Sequence, residues 1–148
     1  LYNYLIEHAI GTILVDFNNK IDNDETDFFR KLKNMMKYKV EILNEYPAIF
    51  KFLETAYLDS SSEAKEIMED KIDEIIKSSL NLFANIDTTK FREGIDLQIT
   101  INTVLWSLEG YSNTEIKKSK LVQAEINYDK IFEGIDVYLE FFKKIFYK

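Results

Sequence analysis

The sequence predicts an all-α protein, a bundle of six helices, and three observations predict it. Of the 148 residues, 46% are hydrophobic and 30% charged, with only four Gly and one Pro, a composition suited to packed helices and poor in turn formers. Apolar residues recur at three- and four-residue spacing from end to end. The breaks in that pattern fall on turn chemistry. The length is that of one ordinary domain able to bury a core, so residues 1–148 are read as a single unit.

The first helix runs to about Phe17, with Tyr2, Leu5, Ile6, Ala9, Ile10 and Ile13 on one face, and ends in the polar stretch NNKIDND. Thr26 is placed to cap the second, whose stripe of Phe28, Leu32, Met35, Met36, Ile42 and Leu43 extends to Tyr46. Pro47 forces a new start and suits the first turn of a short third helix, PAIFKFLETAYL, apolar enough all round to be buried. After the DSSSE loop, a fourth helix from about Glu63 to Ala84 carries Ile67, Met68, Ile72, Ile75, Ile76 and Phe83 inward. Thr88 or Thr89 caps a fifth, from about Lys90 to Gly110. Its polar residues Asp96, Thr100, Thr103 and Ser107 form one narrow stripe between two apolar faces. The last helix, about Ile126 to Tyr147, gathers its aromatic and aliphatic residues within an arc of roughly 140°.

Composition also excludes functions. Without cysteine there are no disulfides and no thiolate metal sites. A formal charge of −7 argues against nucleic-acid binding by this segment, because affinity for phosphates comes from Lys and Arg. No apolar run approaches the ~20 residues that span a bilayer, and Glu7 and His8 spoil the start as a signal peptide, so the expectation is a soluble, cytoplasmic chain. The single histidine, His8, has no companion spacing for a metal site or a triad. Neither a phosphate loop nor a nucleophile motif appears, so an enzyme, a metal or a cofactor is not expected.

Three stretches carry a resemblance to a family: LYNYLIEHAI, EYPAIFKFLETAY and VLWSLEGYSN. Their order and character resemble the TetR family of bacterial transcriptional repressors, in the ligand-sensing and dimerisation region after the helix-turn-helix. The resemblance implies a DNA-binding head of about 50 residues ahead of Leu1, a typical size for such modules. It further implies a homodimer through the last two helices, and a small lipophilic effector that shifts the population between two arrangements of the first helix. The stripe of Leu1, Tyr4, His8 and Val15 is then the surface that meets the head.

Within that reading the dimer interface is expected at Leu97, Ile101, Val104 and Leu108 of the fifth helix. The last helix would supply Tyr128, Ile131, Phe132, Ile135, Tyr138, Leu139, Phe142 and Ile145 to the same four-helix interface. The effector pocket is expected where polar residues interrupt apolar stripes, since pockets are mainly apolar with a few fixed polar groups. Lys39 interrupts the second helix beside Met35 and Met36, and Ser79 interrupts the fourth beside Met68, Ile72 and Phe83. Gln98 and Asn102 stand one turn apart next to Trp106, while Phe52 and Tyr57 of the third helix are placed to close the pocket. Each has a plainer reading: Lys39 extends its stem to solvent, Ser79 bonds its own helix, the amides fix register, and the methionines fill the core. The alternative for the whole chain is an all-α module that binds another protein and senses nothing.

Overall fold

The computed structural model of the chain describes residues 1–59 and 61–148, with the side chains of Asp59, Ser62, Ser79 and Leu80 outside the description. The described residues are all-helical: α1 (Tyr2–Lys20), α2 (Phe28–Glu45), α3 (Pro47–Asp59), α4 (Ser62–Asn81), α5 (Leu97–Leu121) and α6 (Tyr128–Phe146), with a 3₁₀ turn at Thr88–Lys90. None of these helices is long and apolar enough to cross a membrane. The chain forms two compact units, one from Leu1–Asp24 and Glu41–Asn85, the other from Glu25–Val40 and Ile86–Lys148.

The first unit is a three-helix packing of α1, α3 and α4 with the last turn of α2. Ile6 and Ile10 of α1, Ala56 of α3, and Ala64 and Met68 of α4 form its core, with Leu14, Phe52, Leu53 and Ile75 packed around them. The small side chains of Ala56 and Ala64 let the helices approach closely, as interior packing at crystal-like density requires. Lys20 closes the end of α1 by reaching Glu41 and Glu45 of α2, both at 3.6 Å. Three helices cover less than their apolar surface demands. Tyr2, Leu5, Leu58, Ile72 and Ile76, expected inside, are exposed, and among the described side chains of α3 only Ala56 is fully buried. A short helix that is apolar all round has one side toward two neighbours, and its opposite side stays open.

In the second unit α5 and α6 pack side by side, with the first part of α2 contributing Phe28, Phe29, Leu32 and Met35 to the buried set. The caps differ from those expected. Asp27, not Thr26, caps α2 by accepting from the Arg30 amide at 2.9 Å. Asp87 accepts from the Thr89 amide at the 3₁₀ turn, and Asp96, expected within the fifth helix, instead begins it by accepting from the Ile99 amide at 3.0 Å. The expected start at Lys90 fails because Gly94 takes φ +79°, a left-handed conformation that interrupts the helix. Having started late, α5 runs on through Gly110 to Leu121, where Gln123 takes φ 53° and the Ala124 amide returns to the Ser119 carbonyl at 2.9 Å. Asn127 caps α6 through the Lys130 amide at 3.0 Å.

Candidate interaction face on the terminal helix pair

At 100° per residue, the apolar side chains of α6 cover an arc of about 220°. The structure divides that arc. Ile131, Ile135 and Leu139 are buried, with Phe142 and Phe146 half-buried beside them. Val137, Tyr138, Phe141 and Ile145 occupy the neighbouring 100°, which the first-turn Lys130 shares, and stand exposed, Val137 by 69% and Phe141 by 57%. Asp129, Glu133, Asp136, Glu140, Lys143 and Lys144 fill the remaining side. Asp136 on that side receives the Lys33 ammonium of α2 at 2.8 Å, and this contact lifts the lysine pKa above its ordinary value. The bare apolar arc of α6 therefore lies between its core face and its charged face.

On α5 the buried residues are Thr100, Ile101, Val104 and Leu108. Beside this face the helix presents Thr103 and, further along, Ser107, Gly110 and Thr114, which are small enough to leave a groove against α6 lined also by Tyr111, Glu115, Lys118 and Tyr138. The hydroxyls are turned back onto the helix: Thr103 donates to the Ile99 carbonyl at 2.7 Å, Ser107 to Thr103 at 2.6 Å and Thr114 to Gly110 at 2.8 Å. With their polar atoms satisfied locally, they offer mostly methyl, methylene and backbone surface. Beyond them Ile99 and Trp106 are exposed, the indole by 69%. Tyr111 crosses to α6 and lies over Gly134, so the only close seat for its hydroxyl end is a residue without a side chain.

The residues expected at a dimer interface differ in how far the chain itself covers them. Ile101, Val104, Leu108, Ile131, Ile135 and Leu139 belong to the chain's own core, because α5 and α6 use their strongest stripes on each other. Leu97, Tyr128, Phe132 and Phe142 are half-buried, and only Tyr138 and Ile145 of the expected set stand in the open. Sequence reasoning left out Val137 and Phe141. Their signal was present: an apolar arc of about 220° is wider than a single packing contact covers.

The end of the pair is tied down by the chain terminus. Phe91 and Tyr147 form an antiparallel bridge, with the Arg92 amide donating to the Phe146 carbonyl at 2.9 Å and the Lys148 amide to Lys90 at 3.1 Å. The Arg92 guanidinium donates to the carbonyls of Tyr147 at 2.9 Å and Lys144 at 3.1 Å, satisfying carbonyls at the C-terminal end of α6. Around this bridge Phe28, Phe29, Phe91 and Tyr147 make a cluster of rings, with Phe29 and Phe91 edge-on to Tyr147 at 4.9 and 5.0 Å. Buried Asp27 receives the Lys90 ammonium at 2.9 Å. Burial pushes the Asp27 carboxyl up, but the Lys90 hydrogen bond, the Arg30 amide and the Lys90 and Lys143 charges outweigh it and hold its pKa below the ordinary value. Burial and the Asp27 charge push the Tyr147 phenol up to about 12. Its hydroxyl is enclosed near Asp27 and the first amides of α2 without closing a good hydrogen bond.

The twelve residues expected to line an effector pocket are divided between the two units. In the first, Met68 and Phe83 are buried, and Phe52 meets Tyr2 edge-on at 6.0 Å. Ile72 is exposed there, as is Tyr57, which lies beneath the Lys65 ammonium at 5.1 Å. Ser79 falls outside the described side chains. In the second, Met35 is buried and Met36 half-buried, but Lys39 extends to solvent, and Lys31, exposed by only 3%, is the lysine inside. Gln98 donates to Asn102 at 3.2 Å along the outside of α5, on the side of the exposed Trp106. These amides satisfy each other rather than facing an enclosed cavity. No group of three His, Asp or Glu among the described residues is placed to hold a metal. No family model matches the chain, and neither a curated protein nor a solved structure does.

Proposed function

We propose that the chain is the sensing and dimerisation body of a TetR-like transcriptional repressor, in which α5 and α6 pair with their mates from a second copy as a four-helix interface. The observation that carries this reading is the bare apolar arc of Val137, Tyr138, Phe141 and Ile145 beside the small-residue groove of α5. An exposed patch of large side chains rimmed by charge marks an association surface. Two helices presenting it together form a self-complementary patch of the kind a two-fold dimer uses. In this reading α1 is the helix whose shift carries the signal to a DNA-binding head. The acidic body suits such a division, with the basic groups kept on the head.

Trp106 makes the test direct, since it is the only tryptophan and lies exposed near the proposed interface. Sedimentation velocity should show a dimer of two 17.5 kDa chains. The indole emission should move to shorter wavelength as protein concentration rises through the association range. Phe141→Glu should weaken the dimer by at least roughly tenfold, as for a central apolar anchor, with helicity unchanged. A wild-type chain that stays monomeric while capturing a different protein through Phe141 would make it a heterologous interaction module instead.

A further inference from the structure

On the first unit, one side of α1 forms an open groove of about 730 Å³, lined by Tyr4, Glu7, His8, Asp16 and Tyr46 around Gly11. That volume lies in the range of sites for small organic molecules. Its floor exists because position 11 has no side chain, and a Cβ built there meets nothing within 4 Å. One wall is aromatic: the Tyr4 and His8 rings stack 6.0 Å apart and 9° from parallel. The other end holds the Tyr46 phenol, which the neighbouring Asp16 carboxylate holds above its ordinary pKa. Asp16 Oδ2 is shut off from bulk solvent with no hydrogen-bond partner, an acceptor that is costly to leave unused.

The charge of this lining is one-sided. It contains two carboxylates, three aromatic rings and no Lys or Arg. Lys20, the next cation along α1, is engaged by Glu41 and Glu45. A ring face attracts a cation through its quadrupole, and a carboxylate adds the charge, so aromatic walls with acids between them recognise organic ammonium groups. The net charge of −7 raises the local concentration of cations in the same sense. We infer that this groove binds a small organic cation, an ammonium or guanidinium with a flat or alkyl face, seated over Gly11 between the Tyr4–His8 stack and Asp16. The inference does not depend on the repressor reading, which gives the same stripe of α1 to the contact with a DNA-binding head and places its effector elsewhere.

The single histidine supplies an unambiguous reporter, because its imidazole ring protons are the only ones of their kind in the chain. Titration of the whole chain with benzyltrimethylammonium, followed by proton NMR at constant pH and ionic strength, should shift the His8 signals along a saturating curve. Benzoate at the same millimolar concentration should leave them in place. Gly11→Leu fills the groove while removing a glycine from a helix interior, a change that favours the helix, and should abolish saturation with the fold intact by circular dichroism. Asp16→Asn should weaken binding roughly tenfold, the scale of one well-placed charge. Signals unmoved by the cation, an equal response to benzoate, or unchanged binding in Gly11→Leu would each overturn the inference. So would a His8 shift that follows protein concentration instead of the cation, which would assign the groove to a second copy.

Discussion

Tyr147 places a phenol where its ionisation is opposed by burial and by the neighbouring Asp27 charge. A group whose pKa rises on folding stabilises the fold fully below its unfolded value near 10, and the contribution is lost as pH climbs toward about 12. Thermal melts should therefore show stability declining across that alkaline window, and Tyr147→Phe should flatten the decline. At neutral pH the same variant should change stability by less than about 1 kcal/mol, because the hydroxyl removed has no firm partner to lose. Absorbance titration should then lose its latest-ionising tyrosine. Asp27 works in the opposite direction: its depressed pKa gives a contribution present above about pH 4 and lost as pH falls through the lower folded value. Asp27→Ala should cost about 1–2 kcal/mol from the helix cap alone and remove that part of the acid limb, both readable by chemical denaturation against pH. Neither role was legible in the sequence. Asp27 sits one residue from the expected cap, and Tyr147 marked only the approximate end of the last helix. What recruits both is a bridge between segments 56 residues apart, which local periodicity does not encode.

The contact of Tyr111 with Gly134 fixes how closely α5 and α6 approach. A methyl group at position 134 would overlap the Tyr111 ring and hydroxyl, so Gly134→Ala should destabilise by about 1–3 kcal/mol despite the gain of about 1 kcal/mol in helix propensity. Adding Tyr111→Leu should recover part of that loss, and a double-mutant cycle by urea denaturation measures the coupling. Additive effects would mean that the two residues do not set the spacing. Six helices and the break at Pro47 were readable from apolar spacing and turn chemistry, since both are local. The start of α5 was not, because Gly94 and Asp96 fall within a pattern that remains apolar on either side of them. The burial of α6 was half readable. Its seam was identified, but the same helix carries two adjacent apolar faces, and only the packing of α5 decides which one the chain keeps for itself. Lys39 shows the same ambiguity: it lies on the α2 stripe, yet its stem leads out to solvent while Lys31 is enclosed.

At the scale of the whole chain, the expected pocket residues are spread over two units that interleave in sequence, and the candidate face belongs to one of them. Spacing along single helices marked apolar stripes well, but it carried no information on which helices share a unit, so residues grouped as one pocket belong to different units. The division has a further consequence. The chain passes from one unit to the other three times, and the second unit depends on a stretch, Glu25–Val40, that is remote in sequence from the rest of it. A fragment of residues 86–148 therefore lacks Phe28, Phe29, Leu32 and Met35 and should be poorly ordered alone. A synthetic peptide of residues 25–40 should restore it in trans, giving more helicity in the mixture than in the two pieces measured separately. Reconstitution of that kind would make the early part of α2 a detachable plug, and the protein a natural candidate for a split reporter.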